Sequence, residues 1–545
     1  MNILVIGGVA AGTKVAAKLK RDNYDCNVKI LTKGKDISYA GCGLPYYVGN
    51  VIEREEDLIV NTPEKFSKLT GVEVLTEVEV TKVNPKEKTV EAVNLKTNEK
   101  TTYSYDKLVI VSGANPIKPP VEGIDLEGVY FMRTPEDAIQ LRAAVEAGEI
   151  KRVVVVGGGF IGLEIAENLK AQGLVVCVID MAEQILPGFE AEIANYVENR
   201  LADEGIVVFT KTALEAINGD GRVEKVQTSR RAIKADAVVL SIGVRPNTRF
   251  LADSGIELGP NGAVLVNKNL ETNIEDIYAV GDCVFITNLV TGKNTYAPMG
   301  SVANIAGRIL GQNLNGGSLT YEGALGTSVV KLPGINAGKT GLTEDAAKEA
   351  GYDVITVTVT VDDKAHYYPG ASPFIIKMIG DKNSRKLLGL QVVGAGNVDK
   401  IVDMAVMAIG LGAKLDEIQN LDYAYAPPFS TAIHPFAVAV NALLNKINGD
   451  MVSITPREYM EGKAEGYKII DASLVPSIKG VPYVDIAKTH SQLDGIDKDE
   501  KLLLVCDKGK RAYMLQKRLR HFGYNNTLVL EGGRIFTEIE VEEGN

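Results

Sequence analysis

Two short runs of this sequence, 150 residues apart, share one pattern, and that pattern leaves few folds open. The first is Ile3-Leu4-Val5-Ile6-Gly7-Gly8-Val9-Ala10-Ala11-Gly12, an apolar strand entering a Gly-rich turn, with a helix expected over residues 13–20. The second is Val153-Val154-Val155-Val156-Gly157-Gly158-Gly159-Phe160-Ile161-Gly162, with a helix expected through Leu169. Each helix leads to another apolar strand, at residues 27–32 and 175–180. A strand, Gly turn, helix and strand in that order form a βαβ unit, whose turn lets backbone approach a pyrophosphate while the helix N-terminus aims free N–H groups at it. Two such units imply two dinucleotide sites on parallel sheets.

The second copy is complete. Gly157, Gly159 and Gly162 give G-x-G-x-x-G, and Asp180 closes the following strand, placed to accept from a ribose 2′-hydroxyl. A carboxylate there repels a 2′-phosphate and no Arg follows it, so NADH is expected over NADPH. The first copy keeps Gly7 and Gly12 but has Val9 at the middle position and Thr32-Lys33 where an acid usually meets the adenosine ribose. Residues 272–282 supply what it lacks: a short apolar strand ending in Gly281-Asp282 is how two-dinucleotide flavoproteins hold the ribityl chain of FAD. Residues 105–114 form the crossover strand and turn. Gly7, Gly12, Lys33, Ala114 and Asp282 are therefore the FAD-contacting candidates.

Between these segments lies Ile37-Ser38-Tyr39-Ala40-Gly41-Cys42-Gly43-Leu44-Pro45-Tyr46-Tyr47-Val48-Gly49. Here the chain resembles the coenzyme A-disulfide reductase branch of the pyridine nucleotide-disulfide reductases, which also holds NADH oxidases and NADH-dependent persulfide or polysulfide reductases. Dithiol relatives carry two cysteines five apart. The single-cysteine branch carries Ser-x-x-x-Cys-x-x-Pro, as Ser38, Cys42 and Pro45 do. Gly41 stands where that branch often has Asn. The resemblance implies electron flow from NADH through FAD to Cys42, with a coenzyme A disulfide, coenzyme A persulfide or polysulfide at the far end. A helix N-terminus and the flavin are expected to lower the Cys42 pKa, and Ser38 to lie beside the substrate sulfur. Coenzyme A needs cations for its phosphates, and Lys14, Lys18 and Arg21 on the first helix are the candidates.

From about Thr320 the pattern changes to alternating strands, at 354–361 and 374–379, and an apolar helix at 398–411. In the resembling family this is a dimerisation domain that sends two tyrosines into the partner subunit's active site. The matching segments are Ala365-His366-Tyr367-Tyr368-Pro369-Gly370 and Asp422-Tyr423-Ala424-Tyr425-Ala426-Pro427-Pro428, which carry over Tyr367 and Tyr425. His434 is expected to be structural, as are Cys26, Cys177 and Cys283. After residue 447 a further α/β unit begins, with parallel strands at 468–471 and 502–505. The second strand runs into Cys506-Asp507-Lys508-Gly509-Lys510-Arg511-Ala512 and a helix at 513–521. This tail resembles a rhodanese domain with Cys506 as sulfur carrier, its anion expected to be held by backbone N–H groups, Lys508, Lys510 and Arg511. It departs from rhodanese domains at Asp471-Ala472-Ser473, where they have Asp-Val-Arg, and at residues 478–482, which replace a His-Ile-Pro-Gly-Ala turn.

The expected architecture is α/β: an FAD-binding domain (1–120 with 246–318), an NAD-binding domain (121–245), an α+β dimerisation domain (319–447) and a rhodanese-like domain (448–545). The net charge of -11 argues against a nucleic-acid partner. The first residues run straight into a strand, and no apolar run reaches the ~20 residues a bilayer span needs, so a cytoplasmic location is expected; the family resemblance implies a homodimer. No metal site is expected. Five scattered cysteines give no disulfide framework. Two other functions stay open: an NADH oxidase cycling Cys42 through sulfenic acid, and a non-catalytic redox-sensing flavoprotein.

Overall fold

Ile3, Leu4, Val5 and Ile6 are all buried, as a strand covered on both faces requires. The strand Asn2–Ile6 is the centre of a parallel sheet, flanked by Asn27–Leu31 on one side and Lys107–Ile110 on the other. Glu73–Leu75 and Ile277–Ala279 complete its two edges. Segments predicted to serve one cofactor from positions about 100 and 270 residues downstream thus arrive on one sheet, the second through the pairing of Ile277–Ala279 with Lys107–Ile110. The computed structural model describes residues 1–539, so residues 540–545 of the expected tail domain lie outside the described residues.

The first helix starts directly on the Gly turn, at Ala10, and runs to Asp22. A second helix, Gly300–Asn313, lies against it so closely that a Cβ on Gly307 would stand 3.0 Å from the Ala11 carbonyl oxygen. The second βαβ unit repeats the design. Arg152–Val156 is central, with Val175–Ile179 and Ala237–Leu240 as parallel neighbours and Val207–Phe209 and Val129–Tyr130 outside them. Both units fall within one compact body, residues 1–185 with 205–324.

The second body is residues 186–204 together with the chain from 325 onward. Its main sheet is antiparallel, in the order Ser328–Leu332, Ile335–Gly341, Leu387–Gly394, Pro373–Asp381, Val354–Asp362. The helices Val398–Gly410 and Pro435–Ile447 bury their apolar faces on it. Beyond them, Ser453–Ile454, Thr527–Leu530, Leu502–Val505 and Lys468–Asp471 form a parallel four-stranded sheet. The tail is pinned to the outermost strand of the antiparallel sheet, Val354–Asp362. The buried Glu531 carboxylate accepts from the Thr358 amide (2.8 Å), Ser453 Oγ (2.6 Å) and Lys446 Nζ (2.6 Å), and Thr360 Oγ1 donates to the Gly532 carbonyl (2.6 Å). Among the described residues, no helix is long and apolar enough to cross a membrane.

One buried ionic knot ties residues 186–204 to the antiparallel sheet. Lys377 has 0% exposure, and its Nζ lies 2.6 Å from Glu192, 3.1 Å from Glu344 and 3.5 Å from Glu190. Burial works against charging Lys377, yet the three carboxylates raise its pKa above the ordinary value. Burial likewise works to raise Glu344, but Lys377 and Lys348 hold it at about 2. Removing the buried cation that all three carboxylates share strands buried negative charge at Glu190 and Glu192. Lys377→Met is therefore expected to cost about 3–5 kcal/mol, read as a lowered midpoint for the second body in urea unfolding, whereas Lys348→Met at the exposed rim shifts it little.

Candidate active site

The glycine positions carry the cofactor geometry. Gly7 has φ +115° and Gly157 φ +111°, and a Cβ on either would stand 2.1 Å from the Val111 or 2.4 Å from the Ser241 carbonyl oxygen. At Gly12 and Gly162 a Cβ would stand 2.0 and 1.9 Å from the carbonyl of the preceding turn glycine, Gly7 or Gly157. Gly159 faces open space, as a position over which a pyrophosphate lies should. Asp180 accepts from the Gly158 amide (2.7 Å) and the Ala182 amide (2.8 Å), so its carboxylate is fixed beside the turn. The buried Ser241 hydroxyl finds no partner among the described residues, a polar atom left for a ligand at the carboxyl end of the NAD-side sheet. Asp282 follows Gly281 at φ +84° and faces Arg133 Nη2 at 3.2 Å. These residues fit two bound dinucleotides. Ala114 is buried in the strand Ala114–Pro116, and Lys33 is exposed and paired with Glu79 at 2.9 Å.

Cys42 sits in the tight turn Gly41–Gly43 that opens the short helix Leu44–Val48. The Ser38 amide donates to the Gly8 carbonyl and the Ala40 amide to Leu58 (2.8 Å), which anchors the loop to the first Gly turn. Ser38 has φ +51°, a left-handed conformation unusual for a residue with a Cβ. The helix is gripped from two sides. Arg142 Nη1 donates to the carbonyls of Tyr47, Ile52 and Glu53, and its Nη2 to Asn50 Oδ1 at 2.7 Å. From the NAD-side helix Phe160–Ala171 and just beyond it, Gln172 donates to the Gly49 carbonyl (2.7 Å), and Asn168 fills the space where a Gly49 side chain would begin. Tyr46 Oη donates to Glu164 Oε1 at 3.2 Å.

Cys42 is open to solvent, and the protein's own groups act on its thiol in both directions. Desolvation by its surroundings, then the carboxylates of Glu164 and Asp282, raise its pKa, and only Arg133 opposes them. The five-residue helix is too short to offset them. Burial also pushes Cys177 and Cys283 up to about 11 and raises Cys26, as inert core thiols should be.

Lys14, Lys18, Arg21 and Ser38 do come together. They line a cavity of about 980 Å³ with Asn61 and Arg308. Lys18 also pairs with Asp22 at 2.6 Å. Arg308 and Asn61 escaped the sequence reading because each stands alone in an ordinary segment, and only the close packing of the two glycine-faced helices brings Arg308 to Lys14. In the second body, Tyr367 and Tyr425 are 66% and 50% exposed, with hydroxyls 3.5 Å apart. That hydrogen bond raises the Tyr367 pKa. His434 is buried, stacks on Tyr423, accepts from the Phe436 amide through Nδ1, and is held at about 4 by burial.

Cys506 is buried, and its Sγ accepts from the Ala512 amide at 3.4 Å at the start of the helix Lys510–His521. Two of the cations expected to hold its anion are engaged elsewhere: Lys508 pairs with Asp362 (2.6 Å), and Arg511 Nε donates to the Ala472 carbonyl (3.1 Å). Asp471 is buried and takes the amides of Ser473, Ser477 and Ile478, which closes the adjacent loop without the usual Arg.

A family model described as pyridine nucleotide-disulphide oxidoreductase matches residues 1–303, and the dimerisation domain of the same family matches residues 328–437. The solved structure of an NAD-dependent persulfide reductase from A. fulgidus is 37% identical, covers 98% of this chain and 100% of that one, and superposes with a TM-score of 0.93. Reduced CoADR-RHD from Bacillus anthracis is 32% identical over 98% of this chain and 97% of that one, also at 0.93. An NADH oxidase of Methanocaldococcus jannaschii is 35% identical over 82% of this chain and its own full length. The glycine geometry gives a direct check on the cofactor site. Gly12→Ala is expected to yield folded protein that purifies with little or no flavin, measured by visible absorbance against circular dichroism, while the exposed Gly173→Ala keeps its flavin.

Proposed function

The chain belongs to the pyridine nucleotide-disulphide oxidoreductase family, and we propose that, as a cytoplasmic homodimer, it spends NADH on the sulfur–sulfur bond of a coenzyme A disulfide or persulfide held at Cys42. It is an FAD-dependent NAD(P)H oxidoreductase. FAD, when bound, relays two electrons from the nicotinamide to sulfur.

The observation that carries the substrate is the cavity. Lys14, Lys18, Arg21 and Arg308 are among the cations that line it, and Ser38 and Tyr39, in the same loop as Cys42, line it as well. Clustered Lys and Arg suit a phosphorylated ligand. A coenzyme A with its phosphates among these cations can extend its thiol end toward the loop. The solvent-open Cys42 thiolate attacks the substrate's S–S bond, forms a mixed disulfide and releases one thiolate; two electrons and a proton then break that bond and free the second thiol. Cys42 is the only cysteine of its loop, so the mixed disulfide waits there rather than closing an internal one.

The paired, exposed hydroxyls of Tyr367 and Tyr425 are the groups we assign to the leaving thiolate, supplied by a second copy of the chain. The match to the family's dimerisation domain supports this. Asp180 takes the ribose of NADH, and Asp282 a hydroxyl of the FAD ribityl chain. Cys506 accepts sulfane sulfur at the N-terminus of its helix. The likeness to the persulfide reductase and to CoADR-RHD, which extends through the tail, favours sulfane sulfur as the physiological burden.

The NADH oxidase among the relatives favours a second reading, in which oxygen is the acceptor. An anaerobic NADH assay with coenzyme A disulfide, coenzyme A persulfide and polysulfide, run beside an aerobic assay without any of them, decides between the two. Cys42→Ser is expected to bind FAD and accept electrons from NADH normally but to lose disulfide reduction; retained reduction sinks the proposal. Arg308→Ala is expected to raise KM for coenzyme A disulfide about tenfold while leaving KM for NADH unchanged, since one charge-assisted phosphate contact contributes ~1.5 kcal/mol. Cys506→Ala should slow sulfane-sulfur substrates and spare coenzyme A disulfide, and an equal loss on both would rule out a separate sulfur-carrying role.

A further inference from the structure

The chain that follows Cys42 is wrapped around one guanidinium. Arg142 Nη1 lies 3.2 Å from the Tyr47 carbonyl oxygen, 3.1 Å from that of Ile52 and 3.0 Å from that of Glu53, and Nη2 donates to Asn50 Oδ1 at 2.7 Å. Acceptors from both ends and the middle of the stretch 47–53 thus converge on a single side chain. The guanidinium also lies over the Tyr47 ring, 4.4 Å from its centroid, and Nε pairs with Glu146 at 2.7 Å. A planar fork of five donors can serve such a spread of acceptors at once, whereas a lysine ammonium, a point charge on a flexible stem, cannot.

Residues 44–53 need this support. The helix Leu44–Val48 has five residues, too few to persist in water by itself. Beyond it the backbone doubles back: the Gly49 amide donates to Pro45, that of Asn50 to Tyr47, and those of Val51 and Ile52 to Tyr46. Asn50 takes φ +60°, and its side chain ends on Arg142. With the guanidinium gone, the carbonyls of Tyr47, Ile52 and Glu53 lose a charged donor, and a surface segment of this kind opens locally while the buried strands of both βαβ units stay closed. Arg142 itself is carried by the helix Pro135–Glu146, whose start is fixed by a capping box between Thr134 and Asp137. A well-capped helix from elsewhere in the chain therefore holds one end of the short helix that Cys42 opens at the other.

We infer that Arg142 is a positioning residue for the sulfur step: by holding residues 47–53 it fixes the helix behind Cys42, and with it the place of the thiol. It acts through backbone carbonyls rather than on the reacting sulfur. The Gly turns that suit the two dinucleotides are built from other segments, so entry of electrons from NADH does not depend on it. A reacting atom displaced by about 1 Å can cost up to about a hundredfold in rate. The inference rests on Cys42 being the reactive thiol, and the two fail in different assays. Disulfide reduction retained by Cys42→Ser sinks that reading, whereas full disulfide reduction by Arg142 variants sinks this inference alone.

The experiment uses the FAD-loaded Arg142→Ala enzyme under anaerobic conditions. Flavin reduction by NADH should stay within about twofold of wild type, while kcat for coenzyme A disulfide falls about tenfold or more. KM for NADH should not change. Hydrogen exchange followed by mass analysis should show faster exchange confined to the amides around residues 49–52. Guanidinium chloride in the tens of millimolar refills the vacated place and should return both turnover and protection; ammonium chloride at equal concentration should return neither. A merely structural role instead lowers flavin content and slows both half-reactions together, with no preference between the two salts. Arg142→Lys keeps the charge without the fork and serves as the second variant if the alanine form does not accumulate folded; its loss should be confined to the sulfur step and be smaller. Wild-type disulfide turnover in either variant overturns the inference, as does guanidinium that restores protection but not turnover.

Discussion

A carbonyl oxygen, Val111 O, lies 2.1 Å from where a side chain on Gly7 would begin, and Ser241 O stands at 2.4 Å from the same point on Gly157. These two approaches hold the ends of neighbouring parallel strands together at the mouth of each turn. The backbone can close there only at positive φ and without a Cβ, so both positions demand glycine. Once closed, the turn aims its helix N-terminus outward, and the Cys42 loop hangs from it through the Ser38 amide and the Gly8 carbonyl. Cofactor site and reactive thiol therefore share one foundation.

The electrostatics around Cys42 show which effect wins at that thiol. A full helix N-terminus contributes about 0.3–1 kcal/mol to an anion, and one pKa unit corresponds to 1.36 kcal/mol. The helix after Cys42 has five residues, Leu44–Val48, while burial and two carboxylates push the other way. The protein alone raises the thiol. Of the side chains around it, the Arg133 guanidinium is the one that favours the thiolate.

What was legible in the sequence was local. The two Gly turns, Asp180, Gly281-Asp282 and the lone cysteine each announce themselves within a dozen residues, because strand, turn and helix follow one another in the chain. The parallel strands at 468–471 and 502–505 were legible for the same reason. What was not legible depends on tertiary approach. Arg308 joins Lys14 in lining one cavity because glycines at 307 and 311 let two helices touch, and Glu164 is one acid among several in an amphipathic pattern until Tyr46 reaches it. Lys508 and Arg511 mislead in the opposite sense: their spacing suggests an anion cradle, yet an acid on another strand and a backbone carbonyl claim them first.

The stitch between Glu531 and Thr358 has a consequence for how the chain is made. Val354–Asp362 is the outermost strand of its sheet, and its central amide and a threonine hydroxyl are satisfied by residues 531 and 532. During synthesis that strand leaves the ribosome some 170 residues before its cover exists. Until then it offers an open hydrogen-bonding edge, the kind of surface through which nascent chains join one another. The tail thus supplies, from the far end of the chain, the partners that this edge lacks within its own sheet.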